Sequence, residues 1–249
     1  MKFAALSAAV SFLFAAQAFP QTPIQVLASN GVKGVLEKLK PQAEHAAGHP
    51  LAVQYGTTVS LKQKIAAGEG FDLVMLTSEA VDDLVKDGKV SSATRTPVAR
   101  CGVGVGIRQG APKPDVSTTA ALKQALLKAK SVVYVTNGAS RPFIEAMAAH
   151  LGITDQLKAK TQFAANSGEA GERTANGQAE LLITMVSEIV TVHGVELAGP
   201  LPAEVQGYVN FAAGVGAKAA NPEAAKKALQ FLTGPAVAPS YKAGGLETR

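Results

Sequence analysis

The 249-residue sequence holds a single cysteine, no tryptophan, and only 5% aromatic residues. One Cys excludes a disulfide within the chain and any CxxC metal or redox site. Scarce aromatics leave little from which to build base-stacking platforms, sugar platforms or cation cages. Charged residues make up only 17%, the formal net charge is +5, and Lys and Arg form no run of five or six. That distribution excludes a nucleic-acid arm and a polybasic membrane patch. Catalytic signatures are missing too. There is no GxSxG elbow and no GxxxxGK loop ahead of Ser or Thr. His45 and His49 are four apart, but Gly48 and Pro50 end the helix that would align them. No catalytic residue, metal or cofactor is therefore expected.

What is present begins with an address. Met1 and Lys2 precede an apolar run from Phe3 to Ala16, followed by the small-x-small pattern Ala16-Gln17-Ala18. This reads as a cleaved signal peptide over residues 1–18, too short to span a bilayer, with a mature chain from Phe19 in the periplasm. In that oxidising compartment Cys101 is expected as a free, buried thiol.

The apolar fraction of 47% is enough for a sizeable core. Strand, loop and helix then follow one another three times, the grammar of an α/β sheet. Ile24–Ala28, Leu51–Tyr55 and Asp72–Leu76 read as strands. Helices follow each, the first kinked or restarted at Pro41, the third capped at Thr77-Ser78. In 98–107, Cys101, Val103, Val105 and Ile107 alternate with Gly102, Gly104 and Gly106. Period two means a strand, and its bare glycine face invites close approach of a neighbour. Such a strand is long enough to cross between two lobes. A strand at Ser131–Val135, a helix from Phe143 to Leu151 and a strand at Glu180–Thr184 follow. Val205–Ala217 supplies a second crossing. Asn221-Pro222 opens the next helix, with Asn as cap, and a last short helix precedes Gly244-Gly245. The predicted architecture is an α/β two-lobe clamshell: 19–99 with 206–249 in one lobe, 100–205 in the other, each a mixed sheet flanked by helices.

Small hydroxyls stand where strands hand over to helices: Ser29 with Asn30, Thr57 with Thr58, Ser140, and Ser187. Helix N-termini carry unsatisfied N–H groups and the positive end of the dipole, so several facing one cleft make an anion site without a lysine. Ordinary N-capping wants the same residues. For one loop alone capping is the expectation; for Ser29 and Thr58 together, in adjacent loops of one lobe, a ligand role is. Arg141 either forks onto a ligand carboxylate or pairs with a nearby acid at the surface. Glu188 either meets a ligand hydroxyl or amine, or sits in a helix's first turn, where a carboxylate is favourable.

Ala28-Ser29-Asn30, then Tyr55-Gly56-Thr57-Thr58-Val59-Ser60-Leu61 running on to Ile65 and Gly68, then Phe71-Asp72-Leu73-Val74-Met75-Leu76, occur in that order and spacing. The sequence resembles the periplasmic molybdate-binding proteins of ABC importers and their wider solute-binding family, over essentially the whole mature chain. The resemblance implies the type II periplasmic-binding-protein fold. It implies that Ser29 and Thr58 grip an oxyanion and that the Ser140 loop contacts it through backbone N–H. It also implies a monomer that delivers a small anion to a permease in the inner membrane. Two departures incline the expectation away from molybdate: Ile183–Glu188 lacks the family's frequent Tyr, and Arg141 stands where a small residue is commoner. The ligand is left as an oxyanion or a small organic acid. An enzyme on the same frame, a hydrolase or isomerase, and a ligand-sensing module are the alternatives.

Overall fold

The computed structural model describes residues 22–248; the expected signal peptide lies outside the described residues. The first half of the chain builds β1 (Ile24–Ser29), α1 (Lys33–Ala47), β2 (Leu51–Gly56), α2 (Thr58–Ala66), β3 (Leu73–Thr77) and α3 (Ser78–Lys86), with a 3-10 turn at Asn30–Val32. The long strand β4 (Thr96–Arg108) leads to α4 (Thr119–Lys128), β5 (Val132–Val135), α5 (Arg141–His150), α6 (Thr154–Lys160), β6 (Thr161–Ala164) and α7 (Ser167–Ala175). Then come β7 (Leu181–Met185), α8 (Val186–Ile189), β8 (Val195–Pro200), β9 (Tyr208–Val215), α9 (Pro222–Thr233) and α10 (Ala238–Ala243).

Strand order is β2-β1-β3-β9-β4-β7-β5-β6, with β8 paired to β4. β1 runs parallel to β2 and β3, and β5 runs parallel to β6 and β7. The antiparallel pairs all involve β4 or β9. β4 belongs to both halves: up to Gly102 it pairs with β9, and from Val103 with β7. The return passage is held to it at the same point. Leu201 N–H donates to the Val103 carbonyl, and the Gln206 side chain accepts the Val103 N–H at 2.8 Å while donating to the Val103 and Leu201 carbonyls.

Alternation along the strands separates two cores in each half. In β3, Leu73 and Met75 pack with α1 and α9, while Val74 and Leu76 pack with α2 and α3. In β5, Val132 and Tyr134 face the α4–α6 side, and Val133 and Val135 face α7 and α8. Complete burial of each such side chain is worth about 1.5–3 kcal/mol. β4 departs from this rule as its sequence foretold. Val103, Val105 and Ile107 fill one face, and the glycine face receives a neighbour: a Cβ at Gly104 would lie 3.0 Å from Val186 Cγ2, and one at Gly106 3.1 Å from Ile189 Cγ2. The bare face lets α8 sit down on the strand.

Three local expectations are corrected. α1 continues through Pro41 without restarting; Val35, Leu36, Leu39, Ala43 and Ala47 bury one stripe spanning the proline. Neither Thr77 nor Asn221 caps its helix through its side chain. The donors leading into α9 are taken instead by Asp72, a buried carboxylate whose Oδ1 accepts the N–H groups of Ala220 (2.6 Å) and Asn221 (3.1 Å), while Oδ2 accepts that of Gln25 (2.8 Å). Finally, β6, β8, α6 and α7 occupy stretches where no element was expected.

Candidate functional site

A cavity of about 760 Å³ opens where strands of both halves end. From one half it is lined by Asn30 of the 3-10 turn, Lys33 and Glu37 of α1, Tyr55 at the end of β2, and Thr57 and Ser60 at the start of α2. From the other come Asn166, Ser167 and Gly168 at the start of α7, with Glu188 and Thr191. The region beyond the carboxyl ends of parallel strands is where α/β sheets generally hold ligands.

Two nine-residue helices, α2 and α7, point their N-termini at this space. Thr57 Oγ1 accepts the Ser60 N–H at 3.1 Å, and Asn166 Oδ1 accepts the Glu169 N–H at 3.0 Å. Each cap consumes one donor; the other N–H groups of a first turn have no partner within their helix. Lys33 Nζ adds a cation, 5.4 Å from the centre of the Tyr55 ring. Burial, and secondarily Glu37, push the Tyr55 phenol well above its ordinary range, so it stays neutral.

Glu188 is the unusual group. It is 7% exposed, on the cavity wall. Ser167 Oγ donates to its Oε1 at 2.6 Å, and Thr184 Oγ1 meets its Oε2. Burial pushes its carboxyl above the usual carboxylate range; the bonds from Ser167 and Thr184 only partly oppose that. Lys33 and Glu37 of α1 line the same cavity.

Of the residues singled out in the sequence, Asn30 and Thr57 line the cavity. Ser29 is buried behind it, its hydroxyl accepting the Gly31 N–H at 3.4 Å. Thr58 Oγ1 is buried without a hydrogen-bond partner. Ser140 is buried at the start of α5 and makes no side-chain cap. Arg141 is committed within its own half: Nε donates to Glu145 at 2.7 Å, an NH1 hydrogen goes to the Thr136 carbonyl at 2.7 Å, and the guanidinium lies over Phe163. The pairing with a nearby acid, one of its two expected roles, is present. Ser187 joins the halves, donating to the Gly31 carbonyl at 2.7 Å, while buried Cys101 Sγ lies 3.3 Å from Ser187 Oγ. The halves meet closely here, since a Cβ at Gly34 would fall 2.3 Å from Thr191 Cγ2.

Sequence reasoning passed over Lys33, Ser60, Asn166 and Ser167. The signal existed: Asn166-Ser167-Gly168 is the same small polar handover found at the other loops, but the strand before it, β6, is four residues long and half exposed.

Known proteins bear on this geometry in two ways. An aconitate isomerase of a Pseudomonas species is 30% identical over 248 residues, covering 98% of this chain and 94% of that one. The periplasmic molybdate-binding protein of Azotobacter vinelandii superposes with a TM-score of 0.75 at 20% identity, covering 91% of this chain and 99% of that chain. The sulfate-binding protein SubI of Mycobacterium tuberculosis gives 0.70 at 18%, covering 91% and 86%. The fold is accordingly the two-lobe clamshell of type II periplasmic binding proteins. The model of the bacterial extracellular solute-binding proteins matches residues 24–247, and the chain belongs to that family.

Proposed function

We propose that this protein captures a small polycarboxylate anion in the periplasm and delivers it to an ABC permease, closing as a monomer about the hinge between 19–99 with 206–249 and 100–205. Residues 1–18 direct export and are removed by cleavage after Ala18. The observation that carries the reading is the cavity itself. Lys33, Asn30, Thr57 and Ser60 face Asn166 and Ser167 across it, and two helix N-termini add donors. The donors stand on both walls of the cavity, an arrangement that suits an anion carrying more than one carboxylate. Asn30 and Thr57 are assigned to the ligand. Ser29 and Ser187 hold the backbone behind it, and Thr58 brings a hydroxyl with no partner of its own.

A thermal-shift series on the mature chain with molybdate, sulfate, citrate and the two aconitate isomers tests this. A tricarboxylate at 100 times its dissociation constant should add about 2.7 kcal/mol of stability. Stabilisation by molybdate or sulfate alone overturns the reading.

A second reading is favoured by Glu188 and by the full-length kinship with an aconitate isomerase: the bound acid leaves the cleft as its isomer. A carrier returns its ligand unchanged, so proton NMR of the recovered acid separates the two.

A further inference from the structure

We infer that Glu188 is the group that moves the proton in a 1,3-allylic shift on an unsaturated polycarboxylate held in this cavity. The inference rests on the isomerisation reading and assigns its chemistry to one side chain.

The geometry is that of a single acid–base group kept out of water. Glu188 is on the cavity wall yet only 7% exposed. Its two oxygens are fixed by hydroxyls from different elements, Ser167 on α7 and Thr184 on β7. A hydroxyl can donate to a carboxylate or accept from a carboxylic acid, so the same two partners serve both protonation states. Ser167 and Thr184 are therefore positioning residues. A carboxylate needed only for structure gains nothing from facing a ligand cavity, and against an anion it is repulsive when ionised. The other titratable groups on the cavity wall are Lys33, Glu37 and Tyr55. Cys101, on β4 beneath α8, lies near enough to feel the Glu188 charge.

The reaction closes without a co-reactant. The Glu188 carboxylate takes a proton from the methylene carbon between a carboxylate and the double bond. The electron pair left by the broken C–H bond spreads through the alkene into the carboxylate beyond it, giving a dienolate. The added charge falls where Lys33 and the first turns of α2 and α7 supply positive potential. The Glu188 carboxylic acid then returns the proton to the former vinylic carbon. The double bond has moved by one position, cis and trans forms interconvert, and Glu188 is regenerated. No water, metal or redox partner is consumed.

The test uses the mature full-length protein, trans-aconitate as probe, proton NMR in D2O for isomerisation and for deuterium entering the methylene, and calorimetry for binding. Wild type should interconvert the isomers. Glu188→Gln should bind trans-aconitate within about tenfold of wild type while isomerisation and exchange fall about 10²–10⁴-fold, the range set by losing a general acid–base group. A Glu188→Gln rate within about tenfold of wild type overturns the assignment to Glu188 and leaves isomerisation standing. Binding by wild type with neither isomerisation nor exchange overturns the isomerisation reading, and this inference with it. If Glu188→Gln does not fold, Glu188→Asp, which withdraws the carboxylate by one methylene, reads the same way: slow turnover with binding kept supports the assignment, and unchanged turnover overturns it.

Discussion

Asp72→Ala should be among the most damaging single substitutions in the chain, and the structure says by how much. The carboxylate is 2% exposed and accepts three backbone N–H groups, from Gln25, Ala220 and Asn221, at 2.6–3.1 Å. It thus ties β1 to the entry of α9, which lies nearly 150 residues beyond Asp72 in sequence. Each charge-assisted bond is worth about 1.5–3 kcal/mol net, but summing three overstates the loss, because removing the carboxylate also recovers its dehydration cost. Breaking such a buried set typically costs about 3–5 kcal/mol. At roughly 2–4 °C per kcal/mol for a chain of this size, the melting temperature should fall by about 6–20 °C. Asp72→Asn sharpens the argument. Its oxygen can keep the Ala220 and Asn221 donors, but its amide nitrogen then faces the Gln25 N–H, donor against donor. A loss of about 2–3 kcal/mol is expected, between wild type and Ala. Urea denaturation of the three proteins at neutral pH checks the order. An Ala variant within about 1 kcal/mol of wild type would refute the reasoning, showing that water replaces the carboxylate freely.

Glu188 yields a stability test independent of any ligand. Its carboxyl is raised by burial, so the folded state holds the proton more tightly than the unfolded one. Stability of wild type should decline as pH climbs from the ordinary carboxylate value through the raised one, whereas Glu188→Gln lacks that slope; denaturation between pH 4 and pH 9 should show the variant's advantage growing with pH, and a constant difference sinks the idea. Lys33→Met should weaken binding of trans-aconitate about ten- to a hundredfold by loss of a charged partner, while Arg141→Ala, whose guanidinium serves Glu145 and Thr136, should change it by less than about 1 kcal/mol; calorimetry giving the opposite ranking refutes the placement of the cavity. Cys101 is buried and its thiol pushed up by that burial, so a disulfide reagent at pH 8 should leave it untouched in the folded protein and label it fully in urea; rapid labelling of the native chain would contradict this.

The strands legible in the sequence were those in which apolar residues dominate a short run. β3 is a fully buried apolar run, β1 is broken only by the exposed Gln25 before its closing Ser29, β7 carries one Thr, the half-buried β2 was still read from its apolar start, and β4 announced its glycine face. α7 hid because its buried positions are Ala170, Gly171 and Thr174, small residues that leave no hydrophobic period. With α7 unseen, its first turn went unseen, and with it the second lobe's share of the cavity. Asp72 was quoted in a motif but its partners lie across the chain, and no local pattern predicts a contact of that range. Arg141 is the opposite case. Glu145 stands four residues on, the spacing at which helix side chains meet, so its pairing was open to local reading.

The charge balance of the cavity explains why Glu188 has to be buried. Lys33 brings one positive charge and Glu37 one negative. The ends of α2 and α7 add roughly half a charge each. With Glu188 protonated the wall favours an anion; with Glu188 ionised that advantage is cancelled. A glutamate exposed to water would be ionised at neutral pH and would repel the proposed ligand before the lobes closed. It would also be a weak base, because its proton affinity would be that of an ordinary carboxylate, far below what a C–H bond beside a carboxylate demands. Burial acts on both difficulties at once. It raises the group's affinity for a proton, which disfavours the repelling charge and makes the carboxylate a stronger base than an exposed one. The glycine face of β4 makes this possible, for it lets α8 settle close enough to carry Glu188 into the cavity wall.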